Sequence, residues 1–431
     1  MSTNATTRDP SRRVVITGMG SVTNLGLDAK ITWNAMREGQ SGISAIEEEM
    51  FNRYPEPWDV KIAGQVKGFS TEPVLEKREA RRLDRTTQLG VVAAHEAVLD
   101  CGLDFATGDH ERRGTVIGSG IGGIRTIEEG LNTMRDRGWS RMSPFTVPRL
   151  MVNAVTGNIS IRYHLQGPSS AHATACASSG HAIGDAMGYI QRGLADVMLA
   201  GGSEAAVSPL CIGAFSTMKA LSKRNDDPER ASRPFDRDRD GFVLSEGAAV
   251  FVLESLAHAR ARGATIYAEL VGFGNSCDAA HITAPDSEGR GASRSMRLAM
   301  RDAGIEPNQV GYVNAHGTST SLGDKAEVAA VLGIFGDHAR ASAGGSLIMS
   351  STKSMIGHCL GASGAVETIA CVHAVTDGVI APTINLENPD EGFDLDLAAG
   401  DARERPTQYV MNNTFGFGGH NVSLIVARLD D

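Results

Sequence analysis

The chain has 431 residues, enough for two or three small domains or for one large α/β unit with a fully buried core. Apolar residues make up 41% and charged residues 21%, which excludes a disordered or fibrous chain. Forty-one Lys and Arg against 51 Asp and Glu give a net charge of −10, which argues against bulk binding to nucleic acid or an anionic membrane and leaves only local basic patches open.

The opening MSTNATTRDPSRR is polar and has no apolar signal core, so residues 1–12 read as a disordered leader on a cytoplasmic protein. VVITGMG (14–20) is a buried-strand pattern. Over 77–99, Leu83, Thr87, Val91, Ala94 and Val98 recur at helical spacing opposite Arg78, Arg81, Arg82 and Arg85, which predicts one amphipathic helix. TVIGSG (115–120) predicts a second strand. The overlapping GSGIGG (118–123) matches G-x-G-x-x-G, but a dinucleotide site also wants an immediate helix and an acidic residue about 20 positions on. Here Glu128 and Glu129 come too early and the following stretch reads as polar and irregular, so close backbone packing is the better account.

DVMLAGG (196–202), AAVFVLE (248–254) and YVNAH (312–316) add further strands, and their alternation with helical patterns predicts layered α/β architecture. YAELVGFG (267–274) echoes VVITGMG as an apolar strand ending in a G-x-G turn. The echo suggests two halves related by a pseudo-twofold axis, although two short strings are equally open to coincidence. The charged run 224–241 reads as a solvated, ion-paired loop, and ASAGGS (341–346) as a surface turn. No apolar run reaches the roughly 18 residues of a membrane span.

The six cysteines, Cys101, Cys176, Cys211, Cys277, Cys359 and Cys371, form no C-x-x-C pair, which fits a reducing compartment. Cys176 stands apart. ATACASSGHAIGDAMGYIQRG (173–193) places it between a strand end and a helix with Ile183, Ala186, Met187 and Ile190 on one face. Unpaired N–H groups at a helix N-terminus favour thiolate and can lower a cysteine pKa into the range of about 3.5–7.5. A buried structural cysteine is the alternative. His316 follows a strand and precedes Thr318, Ser319 and Thr320. Lys353 and His358 sit before a small-residue helix, where a neutral imidazole can donate to a developing oxyanion. NNTFGFGGHN (412–421) is a Gly/Phe turn whose N–H groups can approach a ligand closely. Two neutral imidazole donors suit an enolate formed on one acyl group while the cysteine holds another. Hydrolysis by Cys and a single His needs a water path instead. No short-range His/Cys/carboxylate spacing of ligand type occurs, which disfavours a metal.

From about residue 12 onward the chain resembles the β-ketoacyl-[acyl-carrier-protein] synthases of the thiolase-like superfamily, in the elongating I/II group. TACASSG, NAHGTST, KSMIGH and NTFGFGGHN occur in family order, supported by RPFDRDRDGFVLSEGA. The resemblance implies a five-layered α-β-α-β-α fold with duplicated halves, taken here as 13–262 with the nucleophile and 263–431 with both histidines, and a homodimer. It implies that Cys176 accepts the acyl group, that His316 and His358 promote malonyl decarboxylation, that Lys353 supports them, and that Glu327 is an acid near that lysine. Thr318 and Thr320, with Thr283 as companion, match hydroxyls that hold the phosphopantetheine arm. Backbone N–H groups of Cys176 and Phe417 match the oxyanion hole, Phe417 also the gate, and Ile121 a wall of the acyl pocket that favours the type II subgroup. No cofactor of its own is implied, since substrates arrive as phosphopantetheine thioesters on an acyl carrier protein. That acidic partner needs a basic patch, for which Arg78, Arg81, Arg82, Lys219 and Arg224 are candidates, against the alternative of a merely solvated face. A polyketide ketosynthase, a thiolase and a non-catalytic chain-length partner are the rivals. The thiolase would use a second cysteine, and the partner would lack Cys176.

Overall fold

The computed structural model describes residues 12–54 and 56–430, so the expected leader, Arg12 excepted, lies outside the described residues. Five strands come from the first half of the chain: β1 (Val14–Thr23), β2 (Arg113–Gly118), β3 (Ser169–His172), β4 (Val197–Glu204) and β5 (Gly247–Ser255). Five come from the second: β6 (Ala268–Cys277), β7 (Val310–Asn314), β8 (Ile348–Ser350), β9 (Tyr409–Gly416) and β10 (His420–Ala427). They join in one ten-stranded sheet, ordered β8-β7-β9-β10-β6-β1-β5-β4-β2-β3.

Counted outward from the β1–β6 seam, each half runs first, fifth, fourth, second and third strand. The directions match as well. The inner pairs are antiparallel and the outer ones parallel in both halves. The chain therefore has the duplicated architecture that the echo suggested.

The longest helices that cover the sheet are α1 (Arg85–Cys101), α2 (Ile124–Arg137), α3 (Ser178–Gln191), α4 (Arg290–Ala303), α5 (Ser321–Phe335) and α6 (Ser363–Thr376). Helix α1 lies on β1 and β5, α4 on β6 and β10, and α3 and α6 touch each other between the two half-sheets, giving five layers. The central position explains α6, in which every residue but His373 and Thr376 is buried. A helix apolar on all sides has to be interior.

Four sequence expectations change. The G-x-G pairs are not turns. Gly18 and Gly20 lie within β1, and Gly272 and Gly274 within β6. A Cβ at Gly18 would come 2.4 Å from Ala97 O of α1, and one at Gly274 2.1 Å from Ser295 O of α4. The echo thus marks where an outer helix presses backbone to backbone on the seam strands.

The predicted helix 77–99 is broken: Lys77–Ala80 is a separate turn, and α1 starts at Arg85 because Asp84 caps it through Thr86 N at 3.0 Å. Asp84 also accepts from Thr126 Oγ1 at 2.6 Å, which fixes the break against α2. Arg85 turns inward, with Arg125, onto buried Glu246.

The stretch after GSGIGG is not irregular, since α2 follows directly. The charged run 224–241 is ion-paired and solvated over much of its length, but Arg233, Asp236 and Arg239 turn inward. Asp236 is fully buried, and Arg239 reaches Asp324 and Asp390 at 3.3 and 3.0 Å. Counter-charges from later in the chain make that burial tolerable.

Candidate active site

Strand β3 ends at His172, and a tight turn, Ala175–Ala177, carries the chain into α3. Ala175 adopts φ +50, a left-handed conformation costly for a residue with a Cβ. Ser178 Oγ braces the turn, accepting from Thr174 N at 2.9 Å and donating to Ala175 O at 2.6 Å. Cys176 rides on this bend. Its own N–H and that of Phe417 point at Sγ, so both donors expected for an oxyanion hole converge on the sulfur. Phe417 begins the turn between β9 and β10, where Gly418 and Gly419 have φ +84 and +73. Gly416 packs so closely on the cysteine turn that a Cβ there would lie 3.0 Å from Cys176 N.

His358 Nε2 stands 3.0 Å from Cys176 Sγ, and its Nδ1 stands 2.9 Å from Ser363 Oγ. His316 follows β7, held by Glu327, which accepts from His316 N and Gly317 N at 2.8 Å each. The two imidazole rings meet edge to face with centroids 5.4 Å apart. His316 Nδ1 is buried without a partner.

Burial, and after it the charge of Lys353, holds both imidazoles well below 6.5, so both are neutral near pH 7 as the sequence suggested. The cysteine departs from expectation. Burial pushes the Cys176 thiol up to about 12, against the downward pull of Lys353 and the two N–H groups. At a helix start this deeply buried, desolvation outweighs the helix dipole. The resting pair is therefore neutral thiol and neutral imidazole in contact.

Lys353 lies behind the cavity, fully buried and paired with Glu367. That glutamate was missed in the sequence, although it is the single acid in the apolar helix α6. Glu327, expected near Lys353, feels the lysine through space and also bonds the His316 backbone. Burial pushes Glu327 and Glu367 up to about 7.

A cavity of about 600 Å³ opens over these groups. Its lining includes Cys176, His316, His358, Glu327, Ile121, Thr283, Thr318, Thr320 and Phe417, so the sequence candidates gather on one hollow. Thr318 and Thr320 hydroxyls lie 3.0 Å apart. Of the basic candidates, Lys219 lines the cavity. Arg224 donates to Asp238 O at 2.6 Å, while Arg78, Arg81 and Arg82 are exposed away from the lining, Arg82 over the Phe145 ring at 4.9 Å.

The fold also brings the ligand atoms of Cys176, His316 and His358 within 4.8 Å of one another, which the spacing argument against a metal did not foresee. The buried ammonium of Lys353 acts on all three and opposes a cation at their centre. The GSGIGG loop is closed to a phosphate for a related reason. Its N–H groups at Gly120 and Ile121 already hold the Glu204 carboxylate.

Residues 11–259 match the family model described as beta-ketoacyl synthase, N-terminal domain, and residues 267–387 the corresponding C-terminal domain. The chain is 47% identical to 3-oxoacyl-[acyl-carrier-protein] synthase 2 of Staphylococcus aureus strain COL over 420 residues, covering 97% of this chain and 99% of the relative. It is 47% identical over 419 residues to the protein of the same name from Vibrio cholerae, with the same coverage. A solved beta-ketoacyl synthase from Burkholderia phymatum superposes with a TM-score of 0.88 at 38% identity, covering 97% of this chain and all of that one. A type II polyketide ketosynthase, solved with its acyl-carrier protein and bound to a hexaketide, superposes with a TM-score of 0.87 at 31% identity and the same coverage.

Proposed function

The chain belongs to the β-ketoacyl synthase family, and from that premise we propose that it condenses an enzyme-bound acyl group with malonyl-[acyl-carrier-protein], lengthening the chain by two carbons in fatty acid biosynthesis. It is an acyltransferase of the elongating, type II kind, working on phosphopantetheine thioesters with no cofactor of its own. Near-full-length identity to relatives named 3-oxoacyl-[acyl-carrier-protein] synthase 2 favours fatty acid over polyketide synthesis, whose ketosynthases share the fold at lower identity.

One observation carries the mechanism: Cys176 Sγ 3.0 Å from one of two neutral imidazoles in a shared cavity. In the first step Sγ attacks the carrier thioester as its proton passes to His358 Nε2. The carbonyl oxygen gathers charge between the N–H groups of Cys176 and Phe417, then the C–S bond to the carrier breaks and the carrier thiol leaves with a proton. Malonyl-carrier then enters. Its bond to the carboxylate breaks, CO₂ departs, and the electron pair becomes an enolate whose oxygen takes hydrogen bonds from His316 and from His358, whose proton has moved from Nδ1 to Nε2 while Ser363 Oγ turns to donate to Nδ1. The enolate carbon attacks the Cys176 thioester, the C–S bond breaks, and Sγ leaves as a thiolate that takes up one proton from solvent to restore the resting thiol. Burial, aided by Lys353 paired with Glu367, keeps the imidazoles uncharged at rest, so that in this second step they act as hydrogen-bond donors to the enolate oxygen.

Thr318, Thr320 and Thr283 hold the pantetheine arm, Phe417 gates the hollow and Ile121 limits the acyl chain. The carrier docks at the mouth beside Lys219, with Arg224, Arg78, Arg81 and Arg82 extending its surface. The working form is a homodimer. Its support is the free edge of β3 and the exposed apolar side chains that gather over 131–161, among them Leu131, Trp139, Val147 and Ile161. The halves divide at 13–262 and 263–431. Among the described residues no helix is long and apolar enough to cross a membrane, and five of the six free cysteines are buried, in keeping with a cytoplasmic enzyme.

The test is mass spectrometry after incubation with an acyl-carrier thioester, then with malonyl-carrier. The expected result is acyl mass on Cys176, then its loss with release of a product two carbons longer. A folded protein that never gains acyl mass on Cys176 is a chain-length partner rather than a synthase.

A further inference from the structure

None of the steps above uses the last residue of β4. Glu204 closes a strand in which every residue is buried, and is itself fully buried. Among the described residues no ion pair holds it, and a carboxylate removed from water needs donors to replace its hydration. Oε2 accepts from Gly120 N at 2.6 Å and Gly361 N at 3.1 Å, and Oε1 from Ser119 Oγ at 3.0 Å and Ile121 N at 3.3 Å.

Those donors belong to two loops from opposite halves of the fold. One carries Ile121 on the wall of the cavity. The other is the turn Leu360–Ala362, flanked by His358 and by Ser363, the neighbour of His358 Nδ1. The loops meet backbone to backbone, since a Cβ at Gly361 would fall 2.2 Å from Gly120 N.

We propose that Glu204 is a positioning residue that clamps the Ile121 loop to the His358 turn, so that the fit of the acyl chain against Ile121 sets the placement of His358 for condensation. The inference rests on the condensing reading above. An acyl chain too long for the hollow presses on Ile121, and the clamp passes that push to Gly361 and the turn behind His358. Misplacement by about 1 Å is enough to cost roughly a hundredfold in rate. A poorly fitting chain is then refused at the chemical step as well as at binding.

The experiment measures kcat and KM for a ladder of acyl lengths in wild type, Glu204→Gln and Ser119→Ala. Glutamine keeps the volume but turns an NH₂ toward backbone N–H groups. Ser119→Ala removes one donor and leaves the carboxylate in place, so it reads the clamp even where the glutamine variant does not fold. Glu204→Gln is expected to lower kcat for the preferred length about tenfold, with KM for malonyl-carrier unchanged. It is also expected to narrow the preference for that length over one four carbons longer by about threefold. Ser119→Ala moves both in the same direction by less. Folded variants that keep the wild-type length profile overturn the proposal, as does a uniform loss at every length that tracks the melting temperature. A wild-type protein that elongates nothing overturns the condensing reading instead, so the two failures are distinct.

Discussion

The turns that begin the two central helices are copies with different contents. Ala175–Ala177 and Leu360–Ala362 each enter through a non-glycine residue in the left-handed region, Ala175 at φ +50 and Leu360 at +44, and each leads into a helix that starts with serine, Ser178 or Ser363. In the first half the middle residue is Cys176. In the second it is Gly361, where a side chain would strike Gly120 N. Ser178 Oγ bonds the backbone of its own turn, whereas Ser363 Oγ faces the imidazole of His358. Four residues into the helices the first half has Ala182 and the second Glu367, paired with Lys353. One bent scaffold thus presents a nucleophile from one side and a tuned imidazole from the other. The fold sets where the two converge, and a few side chains decide what each does.

The largest effect is expected from the ion pair beneath the second turn. Lys353→Met leaves Glu367 buried without its partner, and breaking such a pair costs about 3–5 kcal/mol, read as a drop in melting temperature. The same change removes a charge that lowers both histidines, so their pKa values rise. In wild type the imidazoles stay neutral well below pH 6.5, and the acid limb of condensation lies below that value. In the variant the limb moves up in pH. For stability the sign is equally definite. Imidazoles that bind protons in the unfolded chain but not in the fold make the wild type lose stability as pH falls below about 6.5. A C2–H resonance assigned to His316 or His358 that titrates near 6.5 in wild type would contradict the neutral assignment.

Next come the imidazoles themselves. His358→Ala and His316→Ala each remove one preorganised donor, which costs roughly 2.7–4 kcal/mol, or about 10²–10³ in condensation rate. Acyl transfer to Cys176 separates the two, because the 3.0 Å contact with Sγ belongs to His358 and not to His316. His358→Ala is expected to slow acylation as well, and His316→Ala to spare it. Equal loss in both steps for both variants would remove the asymmetry between the turns.

The serines give a smaller and sharper contrast. Ser178→Ala strips a half-buried N–H and a half-buried carbonyl of their partner, costing about 1 kcal/mol of stability. Ser363→Ala leaves the backbone of its turn intact and loosens one ring, so condensation falls about tenfold with little change in melting temperature. Equal outcomes for the two variants would mean that the two serines kept the same task.

How far the sequence anticipates these features depends on whether the interaction is local. Cys176, His316 and His358 stand in short motifs whose spacing already implies a turn beside a helix, and the structure gathers all three. Glu367 and Glu204 carry no motif. Each is a single acid in an apolar element, and its partner lies in another segment. The same distance misled the reading of 224–241. Arg239 looks solvated until Asp324 and Asp390 arrive from later in the chain. The thiol of Cys176 was misjudged for a kindred reason: the helix start is visible in sequence, but the burial that outweighs it is assembled from both halves.

The smallest effect concerns the mouth of the cavity, where the two turns are approached from solvent. Lys219 lines that mouth and follows the helix Pro209–Thr217 in a left-handed conformation. Arg82 lies outside the lining over the Phe145 ring. Exposed charges act over a Debye length of about 10 Å at 0.1 M salt, so a carrier that delivers its arm past Lys219 feels that lysine most. Lys219→Glu is expected to raise KM for carrier-bound substrate several-fold at low salt, about 1 kcal/mol, with kcat unchanged and the effect fading as salt rises. Arg82→Glu should do the same to a lesser degree. A larger effect at Arg82 would move the docking surface onto the Lys77–Ala80 turn. Indifference of KM to both reversals at low salt would leave the partner held by its arm alone, through Thr318, Thr320 and the wall of the hollow.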